Sequence, residues 1–275
     1  MILTAETYFS PEANREYMSC SQWKAFRACP ARAMADLRGE YIRPDSTALL
    51  VGSYVDSHFE GTLDVFKAQH PELFKRDGSL KSEYQQANVI IDRMEADELF
   101  SMLMSGGKQV IRTGEIAGVP FKIKIDSLLD AETVHKIVKR FPETESVLSF
   151  CDGAIVDLKC MRDCQDAWSD DAHAKIPFVE AWGYQYQGGI YQAVEGNSLP
   201  FILAVGTKES AVNIVALHIP QSDLDAALAE VEDTAPVYAA MKRGEGAAPG
   251  CGHCDYCRSV KKLDRIIDYR EAAEC

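Results

Sequence analysis

The sequence has no stretch of about 18 uncharged apolar residues, the length a helix needs to cross a bilayer, so a membrane-spanning helix is not expected. Its opening run, MILTAETYFSPEANREY, has neither the basic start nor the apolar centre of an export signal, and a cytoplasmic protein is expected. A phosphate-binding GxxxxGK(S/T) loop is missing too, which excludes an ATP-driven motor built on that loop. Internal repeats and low-complexity linkers are absent. With 47% hydrophobic residues in 275, the chain can bury a large core, and residues 1–275 read as a single domain. Basic residues are in short supply: 29 Lys and Arg stand against 42 Asp and Glu, a net charge of -13. Spread evenly, that charge would repel a phosphate backbone, so a nucleic-acid partner requires either a local basic track or cations gathered by carboxylates. Lys122, Lys124, Lys136, Lys139 and Arg140 are candidates for such a track. Nine cysteines, an odd number, argue for free thiols and a metal site over a disulfide framework.

Residues 1–105 read as mainly helical. A helix capped by Ser19 or Ser21 carries Trp23, Phe26, Met34 and Leu37 on an apolar stripe, is bent or restarted at Pro30 and stops at Gly39. A turn at Arg43-Pro44-Asp45 precedes a second helix, Thr47 to Glu60, interrupted by Gly52, and a third is expected from Lys81 to Met104 with Ile90, Ile91, Met94 and Leu99 buried. The period then changes. Gln109 to Ile116 and Val119 to Leu129 form a hairpin around Ala117-Gly118, with Phe121, Ile123 and Ile125 alternating against Lys122, Lys124 and Asp126. Residues 130–152 carry no clear pattern. Further strands are expected at Ala154 to Cys160, Phe201 to Gly206 and Val212 to Ile219, with helices at 178–195 and from a Ser222 cap to Lys242. Residues 106–245 are thus a mixed α/β core, followed by a cysteine-rich segment, 246–275.

Asp157-Leu158-Lys159 is the centre of the chemistry. Residues two apart on a strand share a face, so a carboxylate stands beside an ammonium group. Such a pair suits phosphodiester hydrolysis, with the Asp on Mg²⁺ or Mn²⁺ and the Lys orienting or activating water and offsetting charge on the phosphate. Alone, the pattern also describes a surface ion pair. Asp126, on the polar face of an earlier strand, is a candidate second carboxylate, with Glu115 or Asp130 as substitutes. Gln187 and Tyr191 lie four apart on one helix face, where they can hydrogen-bond a phosphate or DNA end. His58 follows Gly52 in an N-terminal helix, and a neutral imidazole can ligate Mn²⁺.

In this order, Gly52 with His58, Asp126, Asp157-Leu158-Lys159, and Gln187-x-x-x-Tyr191, the chain resembles the RecB-like and RecE-like branch of the PD-(D/E)xK superfamily of phage and prophage exonucleases. The resemblance spans about 50 to 195. It implies a restriction-endonuclease-like core, a central mixed sheet flanked by helices, with an N-terminal helical extension. It also implies metal ligation by His58, Asp126, Asp157 and the Leu158 carbonyl, with Lys159 catalytic and Gln187 and Tyr191 supporting. The implied activity is a 5′-to-3′ exonuclease on double-stranded DNA ends in phage-type recombination or repair, working as a homo-oligomeric ring with a single-strand annealing protein as partner. The interval between Asp126 and Asp157 is longer than the family pattern.

Cys251-Gly252-His253-Cys254-Asp255-Tyr256-Cys257 supplies three closely spaced thiols, and Cys29 is the candidate fourth. AddB-type and CRISPR-associated nucleases resemble that layout, which implies a 4Fe-4S cluster; zinc, with Cys29 or His253 as fourth ligand, is the alternative. Cys20, Cys151, Cys160, Cys164 and Cys275 read as packing residues. Two rival functions stay open: a non-catalytic DNA-end or protein-binding module held by the cysteine site, and an endonuclease of the same superfamily.

Overall fold

The computed structural model describes residues 2–42, 46–169, 172–263, 265, 266, 268 and 270; the expected turn at 43–45 and Cys275 lie outside the described residues. The chain divides into two compact units. The first is Met1–Arg43, Thr113–Lys122 and Ala229–Cys275; the second is Pro44–Arg112 and Ile123–Leu228. No described helix is long and apolar enough to cross a membrane.

In chain order the helices that precede the sheet are α1 (Pro11–Glu16), α2 (Cys20–Ala28), α3 (Pro30–Arg38), α4 (Thr47–Glu60), α5 (Leu63–Gln69), α6 (Gln86–Glu95) and α7 (Glu98–Leu103). Then come β1 (Gly107–Ile116), β2 (Val119–Asp130), α8 (Ala131–Arg140), α9 (Glu145–Leu148), β3 (Gly153–Met161), β4 (Ala167–Ser169) and β5 (Ala174–Ile176). The chain continues through α10 (Phe178–Ala181), α11 (Tyr184–Glu195), β6 (Phe201–Thr207), β7 (Ile214–His218), α12 (Gln221–Arg243) and α13 (Asp255–Val260).

The central sheet has the order β1-β2-β3-β6-β7. β3 runs antiparallel to β2 and parallel to β6, and β6 runs antiparallel to β7, so the sheet is mixed, as expected. The β1–β2 turn is Ala117-Gly118, both at positive φ (47° and 76°), the conformation a two-residue hairpin turn requires. β3 and β6 are covered on both faces, and their sequences are accordingly almost unbroken apolar runs. Ile90, Ile91 and Met94 of α6, Val51 and Val55 of α4, and Val134 and Ile137 of α8 pack with Ala154, Val156, Leu158, Ile202 and Ala204 in the core of the second unit. On α11, a Cβ added to Gly188 would lie 2.6 Å from Leu224 and 2.8 Å from Phe201, and one added to Gly189 would lie 2.8 Å from the Leu224 carbonyl oxygen, so Gly188 lets the helix approach β6 and both glycines let it approach α12.

Several local expectations change. At Pro30 the helix from Ser19 to Gly39 restarts and does not bend, because Cys29 leaves helical geometry and Pro30 opens α3 without needing an N–H partner, whereas α4 runs unbroken through Gly52. Ser19, not Ser21, caps α2, accepting from Gln22 N at 3.2 Å. The helix expected from Lys81 to Met104 is a short 3₁₀ turn followed by α6 and α7, which part where Asp97 caps α7 by accepting from Phe100 N at 2.9 Å. Residues 130–152 hold α8 and α9, and Asp130 is the α8 cap, accepting from Thr133 N at 2.8 Å. The hairpin β4–β5 was not anticipated. Helix α12 begins at Gln221, which places Ser222 inside the first turn and not at the cap.

In the first unit, Phe26, Ala33 and Met34 pack with Tyr238 and Met241, and Trp23 Nε1 donates to Thr234 Oγ1 at 3.0 Å. The supposed basic track is a correction. Lys122 is buried here at 1% exposure, donating to the Tyr8 carbonyl and to Asn14 Oδ1, and burial brings its pKa down to about 8. In the second unit Lys124 pairs with Glu60 at 3.3 Å, and Lys136 and Arg140 pair with Glu132 and Glu98.

Candidate active site

Asp157 follows the point where β2 and β3 separate. The ladder between those strands ends at Ser127↔Val156, and the next residue on each side is a carboxylate, Asp126 and Asp157. Asp126 Oδ2 accepts the Leu158 N–H at 2.9 Å, a backbone donor that the ladder no longer uses. Asp157, 1% exposed, is held from two directions. Gln187 Nε2 donates to its Oδ1 at 2.5 Å, and Lys159 Nζ lies 2.5 Å from its Oδ2. Lys159 keeps 24% of its side chain exposed and sits 5.5 Å from the centre of the Tyr184 ring. Burial opposes its charge, but Asp157 and Asp126 together outweigh that penalty and push its pKa above the ordinary lysine value. Lys159 is therefore a fixed cation.

Gln187 and Tyr191, expected to meet a phosphate, instead hold the chain. Gln187 fixes Asp157, and Tyr191 Oη donates to the Lys124 carbonyl at 3.0 Å; both residues are buried on the face of α11 that its glycines bring inward.

Helix α4 contributes differently from the expectation. His58 Nε2 lies 2.7 Å from Glu95 Oε1 on α6. Two residues make about 200° of helical turn, so Asp56 faces away from His58 and toward the carboxylates, with Glu60 one turn further along the same face. Asp56, Glu60, Asp126 and Leu158 line a cavity of about 10 Å³ together with Gln109, room for about one water or ion. Asp56 Oδ1 is buried there with no hydrogen-bond partner among the described residues. Burial, then the neighbouring Asp126, pushes the Asp56 pKa up to about 7; burial and Asp157 push that of Asp126 up to about 6. Of the substitutes for Asp126, Glu115 is exposed and Asp130 is the exposed cap of α8.

An unpartnered buried carboxylate oxygen beside two further carboxylates fits a hard divalent cation, Mg²⁺ or Mn²⁺, with Asp56, Asp126 and the Leu158 backbone lining the cavity and Asp157, near enough to raise the pKa of both acids, completing the oxygen set. This has a consequence for stability. Both raised pKa values favour the protonated acids in the folded chain, so their contribution is complete below about pH 4 and is lost as pH rises to about 7. In chelator the melting temperature should fall between pH 5.5 and 7.5, by the equivalent of a few kcal/mol. Asp56→Asn should flatten that slope, and Mn²⁺ should raise the melting temperature more at pH 7.5 than at pH 5.5. A flat profile in chelator would contradict the arrangement.

The first unit carries a second cluster. Sγ atoms of Cys29, Cys251, Cys254 and Cys257 all lie within 4.8 Å of one another, with Cys29–Cys257 at 3.6 Å and Cys29–Cys254 at 3.8 Å. Burial opposes a thiolate at Cys251, but the N–H groups of Cys254 and His253 prevail and lower its pKa to about 6. His253 is turned aside, with Nδ1 at 2.9 Å from the Cys251 carbonyl oxygen. Four thiols with no disulfide among them fit a soft metal centre.

A mixed sheet flanked by helices, with a carboxylate–lysine pair where two strands separate and a further carboxylate across from it, defines a PD-(D/E)xK-type protein. The chain belongs to the family described as PDDEXK-like domain of unknown function (DUF3799), which matches residues 19–139 and 147–260. It is also similar, at 40% identity and a TM-score of 0.84, to a crystal structure from Eubacterium rectale named "Putative exonuclease", with 99% of this chain and 98% of that chain covered. A search of the curated proteins gives no match. These likenesses point to a nuclease.

Proposed function

We propose that the protein is a divalent-metal-dependent DNA exonuclease acting 5′-to-3′ on double-stranded ends, in phage-type recombination or DNA repair. The observation that carries the metal-dependent part is the convergence of Asp56, Asp126 and Asp157 beside Lys159, with Asp56 Oδ1 buried and without a hydrogen-bond partner among the described residues. The exonuclease name of the similar structure supports the reaction class. Polarity, the ring and the annealing partner rest on the resemblance to RecE-like enzymes.

Asp56, Asp126, Asp157 and the Leu158 carbonyl would hold Mg²⁺ or Mn²⁺; the bound ion supplies Lewis acidity at the phosphate and lowers the pKa of water. The side chains do the rest. Gln187 keeps Asp157 oriented, the Leu158 N–H keeps Asp126 oriented, and Lys159 offsets charge that builds on the scissile phosphate. For the cysteine site, three Sγ separations of 3.6, 3.8 and 4.0 Å, in a set that lies within 4.8 Å throughout, support a single tetrahedral ion, zinc, whose sulfur–sulfur edge is about 3.8 Å for bonds of about 2.3 Å. A 4Fe-4S cluster puts each thiolate on a separate iron and would spread the sulfurs further; metal and sulfide analysis of fresh protein separates the two.

Digestion of end-labelled linear and closed circular duplexes with Mg²⁺ or Mn²⁺ tests the reading. Loss of linear but not circular DNA is expected; cleaved circles would make it an endonuclease. In chelator, binding to duplex ends should be weak, because the carboxylates repel phosphate until a cation arrives. Calcium, an oxygen-seeking ion that supports such hydrolysis poorly, should restore binding with little cleavage, and Asp126→Asn should lose that response. Tight binding in chelator that calcium leaves unchanged would favour a non-catalytic binding module.

A further inference from the structure

Gln109 belongs to none of the motifs above, yet the backbone is bent to present it. It lies in β1 at φ 51°, the left-handed region that side-chain-bearing residues seldom enter and that glycine enters freely. Counting outward from the 117–118 turn puts it across from Asp126, and its Nε2 donates to Asp126 Oδ1 at 3.3 Å. Its Oε1 is buried with no hydrogen-bond partner among the described residues, and Gln109 lines the same small cavity as Asp56 and Asp126. A strained residue whose amide is half used on a carboxylate, with its carbonyl oxygen buried and unmatched, is arranged for a hydrogen-bond donor inside that cavity.

We propose that Gln109 is a positioning residue of the cation site: its amide nitrogen holds Asp126, and its carbonyl oxygen accepts from a water in the shell of the bound divalent ion. This rests on the metal-dependent reading above. The nitrogen keeps one Asp126 oxygen from turning away, while the Leu158 N–H holds the other. The oxygen orients a water that a carboxylate set alone would leave loose.

The test is Mn²⁺ binding to the full chain by calorimetry, with the melting temperature in chelator measured beside it. Gln109→Met keeps the side chain's length and removes both hydrogen bonds; it should bind Mn²⁺ about 10- to 100-fold more weakly with little change in melting temperature in chelator. Gln109→Gly relieves the backbone, so its melting temperature in chelator should hold or rise while its affinity falls as far. That opposite movement separates positioning from a merely structural role, and it decides the matter if the Met variant does not fold. Asp157→Ala serves as the reference. If wild type binds Mn²⁺, Asp157→Ala does not, and both Gln109 variants bind like wild type, the role given to Gln109 is wrong and the cation site stands. If wild type binds no Mn²⁺, or Asp157→Ala binds it equally well, the cation site fails and the proposal falls with it.

Discussion

Asp157→Ala and Lys159→Ala are each expected to lower DNA hydrolysis by about 10² to 10³-fold or more, with the fold retained. The two substitutions act on different parts of the chemistry. Asp157 is the carboxylate most firmly held in the site, fixed by Gln187 on one oxygen and Lys159 on the other, so its loss would remove a proposed cation ligand whose orientation is set in advance. Lys159 is the only part of the D-x-K pair that reaches solvent to any extent, and removing it leaves Asp56, Asp126 and Asp157 without the cation that offsets them. Neither change should unfold the chain in chelator, because Asp157→Ala takes one charge out of a group of three carboxylates and, after Lys159→Ala, Asp56 and Asp126, whose pKa values are already raised, can take up protons in place of the lost cation. The measurement is single-turnover digestion of end-labelled duplex, with circular dichroism to confirm folding. Near wild-type cleavage by either folded variant would remove the D-x-K pair from the reaction.

The second large effect is expected from the cysteine site. Cys254→Ala should lower the melting temperature by about 10 °C or more while the protein that remains folded at low temperature keeps its nuclease activity. Cys29 and Cys251 are 222 residues apart, so a metal bridging them closes a very long loop and removes much of the freedom of the unfolded chain. By the loop-closure relation used for disulfides such a tie contributes on the order of 5 kcal/mol, and about 2–4 °C per kcal/mol applies to a chain of this size. Thermal unfolding and metal content, measured together on wild type and variant, check it. An unchanged melting temperature with metal lost would show that the site is not structural.

The sheet and the D-x-K strand were legible because their signals are local. Alternation, the Ala117-Gly118 turn and an apolar run broken only by Asp157 and Lys159 each fit within ten or so residues, whereas the meeting of Asp126 and Asp157 where β2 and β3 part depends on the register between the two strands, which left Glu115 and Asp130 open as substitutes. The α4 helix was legible as an element but not in its facing. Val51, Tyr54 and Val55 are buried at i, i+3 and i+4, and His58 continues that apolar face at i+7 while Asp56 falls outside it, so the periodicity marks the packing face and does not say that the carboxylates meet the other. Chemistry favoured the imidazole; packing turned it to Glu95. A carboxylate pair at positions 56 and 60, four apart, was the available signal for the correct face. Gln109 could not have been found from sequence, because neither its left-handed backbone nor its unmatched oxygen leaves a trace in residue order. The long interval from Asp126 to Asp157 has a plain cause in α8 and α9, whose cap, Asp130, resembled a ligand only while residues 130–152 lacked an assignment.

The cysteine cluster also sets a timetable for biosynthesis. Cys29 leaves the ribosome 222 residues ahead of Cys251, a lag of about 11–44 s at about 5–20 residues per second. Throughout that interval its thiol stands without the other three, and no ion can be held by the complete set. Capture of the proposed metal would thus be a checkpoint that only a chain translated through Cys257 can pass. A messenger cut short, or a ribosome stalled within the last part of the sheet, would yield a product that carries Asp56, Asp126, Asp157 and Lys159 but never receives the lock, and proteases would find its first unit open.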